Sequence, residues 1–558
     1  MSACRPSYYR TLVTLWRISA RAQFRQKYWE ALKELKENIK LEDYLFTVEE
    51  VDNAISELKR GKAAGIDGLT AEHLQACHPI LVSLLVKLFN TMLIAEYVPD
   101  AFGVGLSIPL PKSLSENLHS SEAYRCITVS PVISKVFEKC VLEKVQALLT
   151  TSHLQFGFKK KLSCSHAIYS LNTTVDHFVN NQSTVNICSI DLSKAFDRVN
   201  NYCLFVKLLE RKVPRKFVLL LACWYTKVYI VVKWVDALSH MVKLLAGVRQ
   251  GGILSPILFL VFVDDILHAL QSSRLGCIIK GFYIGAMMYA DDIILLSSSV
   301  SMLQSMIDLC FNELAKVDMP INAKKTMCLR IGRRFKDPCC ELFVNGVAIK
   351  WVEQLRYLGI LVNSGRTFKI DLTRAKRKFF ISCNSIFSKI EHSRADIILP
   401  LISPYCTPVL LYGLDALKLN KTELNRLDHP YIMVFHKIFG TYSKSIISQC
   451  QYYTGCLPMQ YLVKLRKLCF LNNMKLYADD NIMCKYLYQN FGYFQFISIA
   501  NEFGIVEKDC KFWMKRKMWS SFKDSLRLLV AFHFFSQCAL CVVFCCIYIT
   551  IFFCLWTN

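Results

Sequence analysis

Two adjacent aspartates, Asp291 and Asp292, interrupt an apolar stretch that runs from residue 287 to residue 296. Short apolar runs on both sides of a polar break are typical of two buried strands that meet at a tight turn. Burying two unpaired carboxylates side by side is costly, so such a turn has to bind cations, take up protons or face water. The stretch therefore predicts a β-hairpin whose turn either holds a divalent metal ion or is an ordinary exposed turn, where Asp is common.

A third aspartate, Asp191, stands at the end of an extended run over residues 185–190, and a helix-compatible segment follows it. If that strand lies beside the hairpin, Asp191 can converge with Asp291 and Asp292 on two Mg2+ ions about 3.5–4 Å apart. Because Mg2+ takes few carboxylates together with waters and substrate phosphates, so sparse a ligand set suits it. The arrangement predicts in-line phosphoryl or nucleotidyl transfer.

Asp264 and Asp265 form a rival acidic pair within a predicted helix. Successive helix residues diverge by about 100°, so we reject this pair as the metal site and interpret it as a polar helix face. The helix is expected to open from a glycine-containing loop, with Ser255 as its N-cap and Pro256 at its first helical position.

Three segments occur in a fixed order along the chain: 191–197 (DLSKAFD), 247–256 (GVRQGGILSP) and 289–292 (YADD). Together they resemble the ordered palm motifs of the reverse transcriptases of non-LTR (LINE-type) retrotransposons. The resemblance implies an α+β right-hand polymerase, with fingers, an antiparallel palm sheet, a thumb and a helical C-terminal region. It also implies an RNA-directed DNA polymerase that uses two Mg2+ ions, or Mn2+, to extend a DNA primer on an RNA template from dNTPs.

The same resemblance assigns a role to each candidate site residue. The metal ligands are expected to be Asp191, Asp291 and Asp292, and the general acid near the pyrophosphate leaving group Lys325 rather than Lys324. The residues expected to bind the nucleotide are Lys112, Arg125, Phe196, Gln250 and Gly251. The residues expected to grip the primer are Tyr357, Leu358 and Gly359, and residues 155–163 resemble the family's template-contacting segment. Taken alone, each basic residue in this set is more typical of solvated surface.

The chain has 68 Lys and Arg against 44 Asp and Glu, which gives a formal net charge of +24. Such a field attracts polyanions, so nucleic acid is a natural partner, and no obligate protein partner is predicted. The 25 cysteines have no paired spacing through the body of the chain, which is typical of reduced thiols in an intracellular protein, nuclear or cytoplasmic. A second interpretation stays open, in which a catalytically inactive relic of such an element retains only its nucleic-acid-binding surface.

The pattern of elements divides the 558 residues into five parts. We expect a helical flank at 1–45, fingers and palm at 46–365, a thumb-like helical region at 366–440, a basic helical region at 441–525 and an apolar tail at 526–558. Residues 528–558 contain no Asp, Glu, Lys or Arg, and about 20 apolar residues suffice to cross a bilayer. The tail is therefore either a membrane-spanning helix over 528–556 or sequence joined to a truncated, decayed genomic copy.

Overall fold

The apolar runs around the paired aspartates form the two antiparallel strands that their pattern predicted, Ala286–Tyr289 and Asp292–Ser297. Their two-residue turn consists of Ala290 and Asp291, and Ala290 adopts a left-handed conformation with a φ of 58°. The computed structural model describes residues 22–34, 41–112, 118–120, 123–192, 194–249, 251–390, 394–477 and 480–534.

The strands of this described part are numbered in chain order. They are β1 (Val104–Pro111), β2 (Tyr124–Val129), β3 (Val185–Ile190), β4 (Tyr229–Trp234), β5 (Ala237–Leu238), β6 (Val242–Lys243), β7 (Ile278–Ile279), β8 (Phe282–Tyr283), β9 (Ala286–Tyr289), β10 (Asp292–Ser297), β11 (Met327–Ile331), β12 (Leu342–Val344), β13 (Val347–Trp351), β14 (Gln354–Tyr357), β15 (Ile360–Asn363) and β16 (Lys369–Ile370).

The largest sheet has six strands in the order β12-β13-β11-β3-β10-β9. Its central strands β3 and β10 are almost wholly buried, which fits their continuous apolar sequences. Four of its five strand pairs are antiparallel, as predicted, but β11 and β13 run parallel. The predicted antiparallel sheet therefore contains one parallel pair, because the β12–β13 hairpin lays its second strand alongside β11.

A second sheet has the strand order β2-β1-β4-β5, and β6 pairs with β4. Strands β1 and β2 are antiparallel, with Leu110 opposite Arg125, whereas β1 and β4 are parallel. The ring of Tyr124 packs edge-on against Trp234 at a centroid distance of 5.2 Å. Since β2 is the edge strand, its residue Arg125 can stay exposed to solvent.

The helices are also numbered in chain order. They are α1 (22–34), α2 (Val48–Ser56), α3 (Ala71–Gln75), α4 (Ile80–Ala95), α5 (Asp100–Gly103), α6 (Val132–Val145), α7 (Cys164–Asn180), α8 (Ala195–Arg198), α9 (Asn201–Glu210), α10 (Arg215–Thr226), α11 (Leu254–Ser273), α12 (Val300–Lys316), α13 (Thr373–Phe387), α14 (Ala395–Tyr405), α15 (Thr407–Leu410), α16 (Lys421–Phe439), α17 (Lys444–Tyr453), α18 (Met459–Leu476), α19 (Ile482–Leu487), α20 (Tyr493–Glu502) and α21 (Lys511–Phe534).

The described residues fold as two compact units. The first unit comprises those up to residue 163, 177–355 and 364–367, and it contains the two larger sheets. The second comprises 164–176, 356–363 and those from 368 onward, and it is mostly helical. The mixed α+β class and the helical C-terminal region are therefore confirmed.

Helix α11 begins at Leu254, one residue before the predicted N-cap Ser255. Ser255 is therefore inside the helix, and the cap position is taken by Ile253, whose side chain accepts no hydrogen bond from the helix. The first backbone N–H groups of α11 are bonded instead by a carboxylate from another helix, Glu138 of α6. The prediction of a serine cap is wrong because a tertiary contact supplies the acceptor.

Within the described residues, one helix is long and apolar enough to cross a membrane, and it is α11. Most of its length is buried inside the first unit, as in the core helix of a globular domain. The apolar tail was predicted over 526–558, and its residues from 535 onward lie outside the described residues.

Candidate active site

Asp191 and the Asp291–Asp292 hairpin meet where β3 ends and β10 begins, at one end of the central strands of the six-stranded sheet. Strands β3 and β10 pair antiparallel with Ile190 opposite Ile293. The next residues in this register are Asp191 and Asp292, which makes them neighbours across the two strand ends. The structure thus brings together the three aspartates that are separated by about a hundred residues in the sequence.

The electrostatics of Asp291 show which charges surround it. Burial raises the pKa of this carboxyl, its own backbone N–H lowers it, the charge of Asp191 raises it again and Arg125 lowers it. One like charge, Asp191, and one opposite charge, Arg125, therefore act on Asp291. Repulsion between two half-buried carboxylates is what a bound cation relieves.

Among the described residues, no group of three or more His, Cys, Asp or Glu side chains is arranged so that it could hold a metal ion. Asp191 and Asp291 still suit a magnesium site, because Mg2+ commonly takes one or two carboxylates and completes its shell with water and substrate phosphates. The assignment of Asp191, Asp291 and Asp292 as metal ligands stays a prediction.

Gln155 clamps the turn of the aspartate hairpin. Its side chain is 1% exposed, and its Oε1 accepts hydrogen bonds from the N–H of Ala290 (3.0 Å) and of Gly157 (2.8 Å). Its Nε2 donates to the carbonyl of Ala290 at 3.4 Å. A Cβ on Gly157 would lie 2.3 Å from the nitrogen of Ala290, so only glycine fits there. The segment expected to contact the template therefore also supports the hairpin.

The two predicted phosphate-binding cations lie at the same end of the β1–β2 ladder. Arg125 is on β2, and Lys112 follows β1 directly, its backbone N–H donating to Ala123 at 2.8 Å. Both side chains are exposed. The charge of Arg125 acts on Asp291, which places it within electrostatic reach of the hairpin. Lys112 stays a prediction as a phosphate ligand.

Phe196 has the support expected of a residue that shapes a pocket. Its ring stacks on Phe259 of α11 at a centroid distance of 4.3 Å and an interplanar angle of 20°. Phe158 packs edge-on against it at 6.0 Å. Phe196 stays half-buried, so part of the ring is accessible while its position is fixed from below.

The glycine loop before α11 is held close to neighbouring backbone. A Cβ on Gly251 would lie 1.9 Å from the carbonyl oxygen of Thr128, and the φ of Gly251 is 89°. At the other end, a Cβ on Gly247 would lie 2.9 Å from the carbonyl oxygen of Phe196. The loop therefore packs against both β2 and the segment that follows Asp191. Gln250 lies outside the described residues.

Lys325 lies in a turn that is bonded to the backbone of Asp191. The N–H of Asn322 donates to the carbonyl of Asp191 at 2.8 Å, and the N–H of Lys325 donates to Asn322 at 3.1 Å. Lys324 and Lys325 are both exposed. These bonds place the turn that contains Lys325 beside the backbone of Asp191. The choice of Lys325 as the general acid stays a prediction.

The predicted primer-grip residues lie in the second unit. Tyr357 is buried at the end of β14, and Leu358 and Gly359 form the tight turn to β15 with φ values of 43° and 88°. The hydroxyl of Tyr412 donates to the carbonyl of Leu358 at 2.9 Å. The turn is therefore fixed within its own unit, and its role at a primer stays a prediction.

The interpretation of Asp264 and Asp265 as a polar helix face fits Asp265 but not Asp264. Asp265 is exposed and pairs with Lys207. Asp264 is buried and accepts hydrogen bonds from Arg211 at 2.7 Å and from the backbone of Ser152 at 2.8 Å. The two side chains point to different surroundings, as helix geometry requires.

Sequence reasoning missed the role of Gln155 and the buried pair Glu138–Arg249, whose atoms are 3.6 Å apart. Gln155 stood inside a segment assigned to the template. The pair had a weaker signal, an acidic and a basic residue at positions where neighbouring apolar residues predict burial, and such residues are buried only when paired.

The family described as reverse transcriptase (RNA-dependent DNA polymerase) matches residues 111–362. The RNA-directed DNA polymerase from mobile element jockey of Drosophila funebris is 25% identical over 410 residues, which are 71% of this chain and 44% of that protein. The retrovirus-related Pol polyprotein from type-2 retrotransposable element R2DM of Drosophila melanogaster is 22% identical over 328 residues, 57% of this chain and 30% of that protein. The chain thus spans less than half the length of these two relatives.

Two solved telomerase structures align with part of the chain. Apo telomerase from Candida tropicalis, truncated from its C-terminal domain, has 13% identity and a TM-score of 0.35 over 52% of this chain and 60% of that one. Telomerase from Candida albicans, in complex with a fragment of telomeric RNA, has 12% identity and a TM-score of 0.36 over 70% of this chain and 66% of that one. Scores this low do not establish a shared fold.

The motif order in the sequence, the matched residues and the transposon relatives agree with one another. Residues 111–362 therefore match the reverse transcriptase family, and the chain is similar to polymerases of Drosophila mobile elements.

Proposed function

We propose that this chain is an RNA-directed DNA polymerase of a non-LTR retrotransposon, which extends a DNA primer on an RNA template from dNTPs. The observation that carries the proposal is the pairing of β3 with β10. It gathers Asp191 and Asp291 at the same end of these two strands, within electrostatic reach of Arg125. In this proposal the six-stranded sheet is the palm, the β1–β2 sheet belongs to the fingers, and the helical region 366–440 acts as the thumb.

The carboxylates of Asp191 and Asp291 are the residues that would hold the catalytic cations. Two Mg2+ ions, or Mn2+, bound there would activate the primer 3'-hydroxyl and neutralise charge on the triphosphate. Asp292 opens β10 beside Asp191 and adds a further negative charge to the same strand ends. Gln155 keeps the turn fixed, so the carboxylates are in place before substrate arrives.

Arg125 and Lys112 act on the phosphates. Their exposed cationic groups lie at one end of the β1–β2 ladder, where they can pair with the triphosphate of an incoming nucleotide. Charge grows on the phosphate oxygens in the transition state, so fixed cations stabilise that state more than the ground state.

Phe196, Gln250 and Gly251 act on the nucleotide sugar and base. Phe196 rests on Phe259, so its ring cannot retreat when a ribose 2'-hydroxyl approaches, and deoxyribose is preferred. Gly251 carries no side chain, so the loop beside the proposed nucleotide site can lie directly against the carbonyl of Thr128. Lys325 is the proton donor to the departing pyrophosphate, a role that requires it close to the reacting phosphates.

Primer extension tests this function directly. The purified full chain should incorporate dNTPs onto a DNA primer annealed to RNA when Mg2+ or Mn2+ is present, and Asp291→Ala should abolish incorporation. Asp265→Ala is the matched control, since it removes an exposed aspartate that also follows another aspartate.

The other outcome of the experiment is the inactive relic. A wild-type chain that binds RNA with strong salt dependence but extends no primer on any template would replace the polymerase by a nucleic-acid-binding remnant. Binding then rests on the net charge of +24 and needs none of the aspartates.

Localisation is a separate part of the proposal. We propose that the protein works inside the cell, in the nucleus or the cytoplasm, and that the segment 528–556 anchors it to a membrane when that segment inserts. Fractionation of cells that express the full chain or the chain without 526–558 tests the anchor. Equal distribution of the two proteins between membrane and soluble fractions would exclude it.

A further inference from the structure

Glu138 is a buried carboxylate in the middle of α6 that the proposed chemistry does not use. It is 3% exposed, and a buried charge is costly unless it is paired and hydrogen-bonded. Its Oε1 lies 3.6 Å from Nη1 of Arg249. Its Oε2 accepts hydrogen bonds from the backbone N–H groups of Ile253 and Leu254, the latter at 3.0 Å. Its ion-pair and hydrogen-bond partners among the described residues therefore lie in the loop before α11 or in the first turn of that helix, while Lys135 on its own helix acts on it only through charge.

The contact with Ile253 and Leu254 caps α11 from outside. The first N–H groups of a helix have no partner within it, and they carry the positive end of the helix dipole. A carboxylate at this place satisfies both the hydrogen bonds and the dipole. Because the side chain of Ile253 cannot cap, Glu138 is the group that fixes where α11 begins.

Arg249 fixes the other end of the same short loop. It is 6% exposed, it donates to the carbonyl of Phe102 at 2.8 Å and to the hydroxyl of Ser134 at 3.2 Å, and its guanidinium lies 4.9 Å from the ring centre of Trp224. The loop is thus tied down before residue 250 by Arg249 and after residue 252 by Glu138.

Two glycines of the loop, Gly251 and Gly252, lie close to neighbouring groups. A Cβ on Gly252 would lie 2.8 Å from a carboxylate oxygen of Glu138, and one on Gly251 would meet the carbonyl of Thr128. Farther along α11, Phe259 supports Phe196. Both walls of the proposed sugar pocket, the Gly251 loop and the Phe196 ring, therefore depend on the position of the α11 start.

We propose that Glu138 is a positioning residue for the nucleotide-sugar pocket, which it sets by holding Arg249, residues 251–253 and the first turn of α11. The inference rests on the polymerase function proposed above. Loss of the carboxylate should let the loop and the Phe196 platform shift, which weakens nucleotide binding and relaxes the choice between deoxyribose and ribose.

A buried ion pair can also serve folding alone, so a matched control is needed. Asp264 provides this control. It is a buried carboxylate on α11, the helix that Glu138 caps, and it pairs with Arg211 and accepts a hydrogen bond from the backbone of Ser152. Neither Arg211 nor Ser152 belongs to the segment that Glu138 holds. Asp264→Asn removes a comparable buried charge without touching the loop.

Single-nucleotide incorporation by the full chain is the decisive measurement. Glu138→Gln keeps an oxygen for the two N–H groups but leaves Arg249 without its anion. We expect it to raise the KM for dNTPs by about tenfold and to lower the preference for dNTPs over rNTPs by a similar factor, with a smaller change in kcat. Asp264→Asn should lower thermal stability and leave the KM and the sugar preference unchanged. Unchanged KM and preference in Glu138→Gln, or equal changes in both variants, would overturn the inference.

Amide hydrogen exchange gives a readout that does not depend on activity. In the wild-type protein the N–H groups of Ile253 and Leu254 should be protected, and in Glu138→Ala, which removes their acceptor, they should exchange faster than in Asp264→Asn. Equal protection in all these proteins would show that Glu138 does not hold the loop. If the wild-type chain extends no primer, the polymerase function fails, and the exchange data still decide whether Glu138 fixes the start of α11.

Discussion

Charge is buried in both units of the molecule, but the two clusters are built differently. In the first unit Asp291 lies close to another carboxylate, Asp191, with Arg125 as the cation that acts on it. In the second unit Lys467 is 5% exposed, Asp415 and Asp176 are the charges that act on it, and its Nζ lies 4.8 Å from the ring centre of Tyr169. The first cluster brings two carboxylates together, and the second brings a lysine together with two carboxylates.

The difference indicates which cluster meets an external partner. Burial lowers the pKa of Lys467 to about 7, while Asp415 and Asp176 act against that change, so the protein itself supplies the counter-charges. At Asp291 burial and Asp191 both raise the pKa. A like-charged cluster costs stability in the free protein, and a cation and phosphates from outside can complete it. Opposite charges that the protein supplies itself are typical of a structural ion-pair network, whereas like charges gathered in one place are typical of a functional site.

The largest effect is expected from Asp291→Asn. The variant should lose at least about a thousandfold in primer extension, because a residue that acts as part of one catalytic unit carries most of the rate. The same variant should unfold at an equal or higher temperature than the wild-type protein, since it no longer buries a carboxylate beside Asp191. A loss of both activity and stability would mean that Asp291 serves the fold.

Gln155→Ala should be next in size. The N–H groups of Ala290 and Gly157 lose their acceptor, which costs about 2 kcal/mol in unfolding free energy, and the loosened turn should lower kcat by about 10- to 100-fold. Gln304→Ala is a matched control, because Gln304 also bridges one backbone N–H and one carbonyl, those of Phe343. Equal kcat values for the two variants would contradict a clamp at the active site.

Much of this site could be predicted from sequence because its signals are local. Apolar runs around Asp291 and Asp292 specify a buried hairpin whatever lies beyond it, and the apolar strand before Asp191 specifies its neighbour. Their meeting is then a matter of register, which the buried faces of the strands determine.

The rest could not be predicted because it consists of tertiary contacts. Nothing around Glu138 shows that its carboxylate reaches the first turn of α11, more than a hundred residues away, so the cap was assigned to Ser255 instead. Gln155 is likewise a single polar residue whose partner turn lies 135 residues further on. The parallel pair β11–β13 depends on how a later hairpin folds back.

Lys467→Met tests the balanced cluster. Met keeps the apolar stem but removes the amine that acts on Asp415 and Asp176, so we expect a loss of about 1–3 kcal/mol in unfolding free energy at pH 7, where burial leaves Lys467 about half protonated. Lys464→Met on the same helix removes a lysine that pairs with Glu502 nearer the surface, and it should cost less than about 1 kcal/mol. Chemical denaturation followed by tryptophan fluorescence measures both. A Lys467→Met protein as stable as the wild type would show that the cluster is not balanced by this lysine.

The pH dependence of stability gives a smaller and more specific effect. The pKa of Lys467 falls from its ordinary value of 10.5 to about 7 on folding. Between these values the unfolded chain holds a proton that the folded chain lacks, so stability rises with pH in this window. The wild-type unfolding free energy minus that of Lys467→Met should therefore increase from about pH 7 upward, by at most about 1.4 kcal/mol per pH unit. A difference that stays flat or falls between pH 7 and 10 would contradict the burial of a neutral lysine.

The smallest effect is expected from Asp265→Asn, and it separates two explanations of the site. Asp265 and Asp292 each follow another aspartate, so a pattern of adjacent acids cannot distinguish them. The side chain of Asp265 is 58% exposed, but its partner Lys207 is only 10% exposed, so the loss of this ion pair should cost about 1 kcal/mol in unfolding free energy. Primer extension should match the wild type, because neither residue belongs to the proposed site. Loss of incorporation in Asp265→Asn would contradict this assignment. It would place the reaction at the adjacent acids of α11 rather than at the half-buried carboxylates where β3 ends and β10 begins.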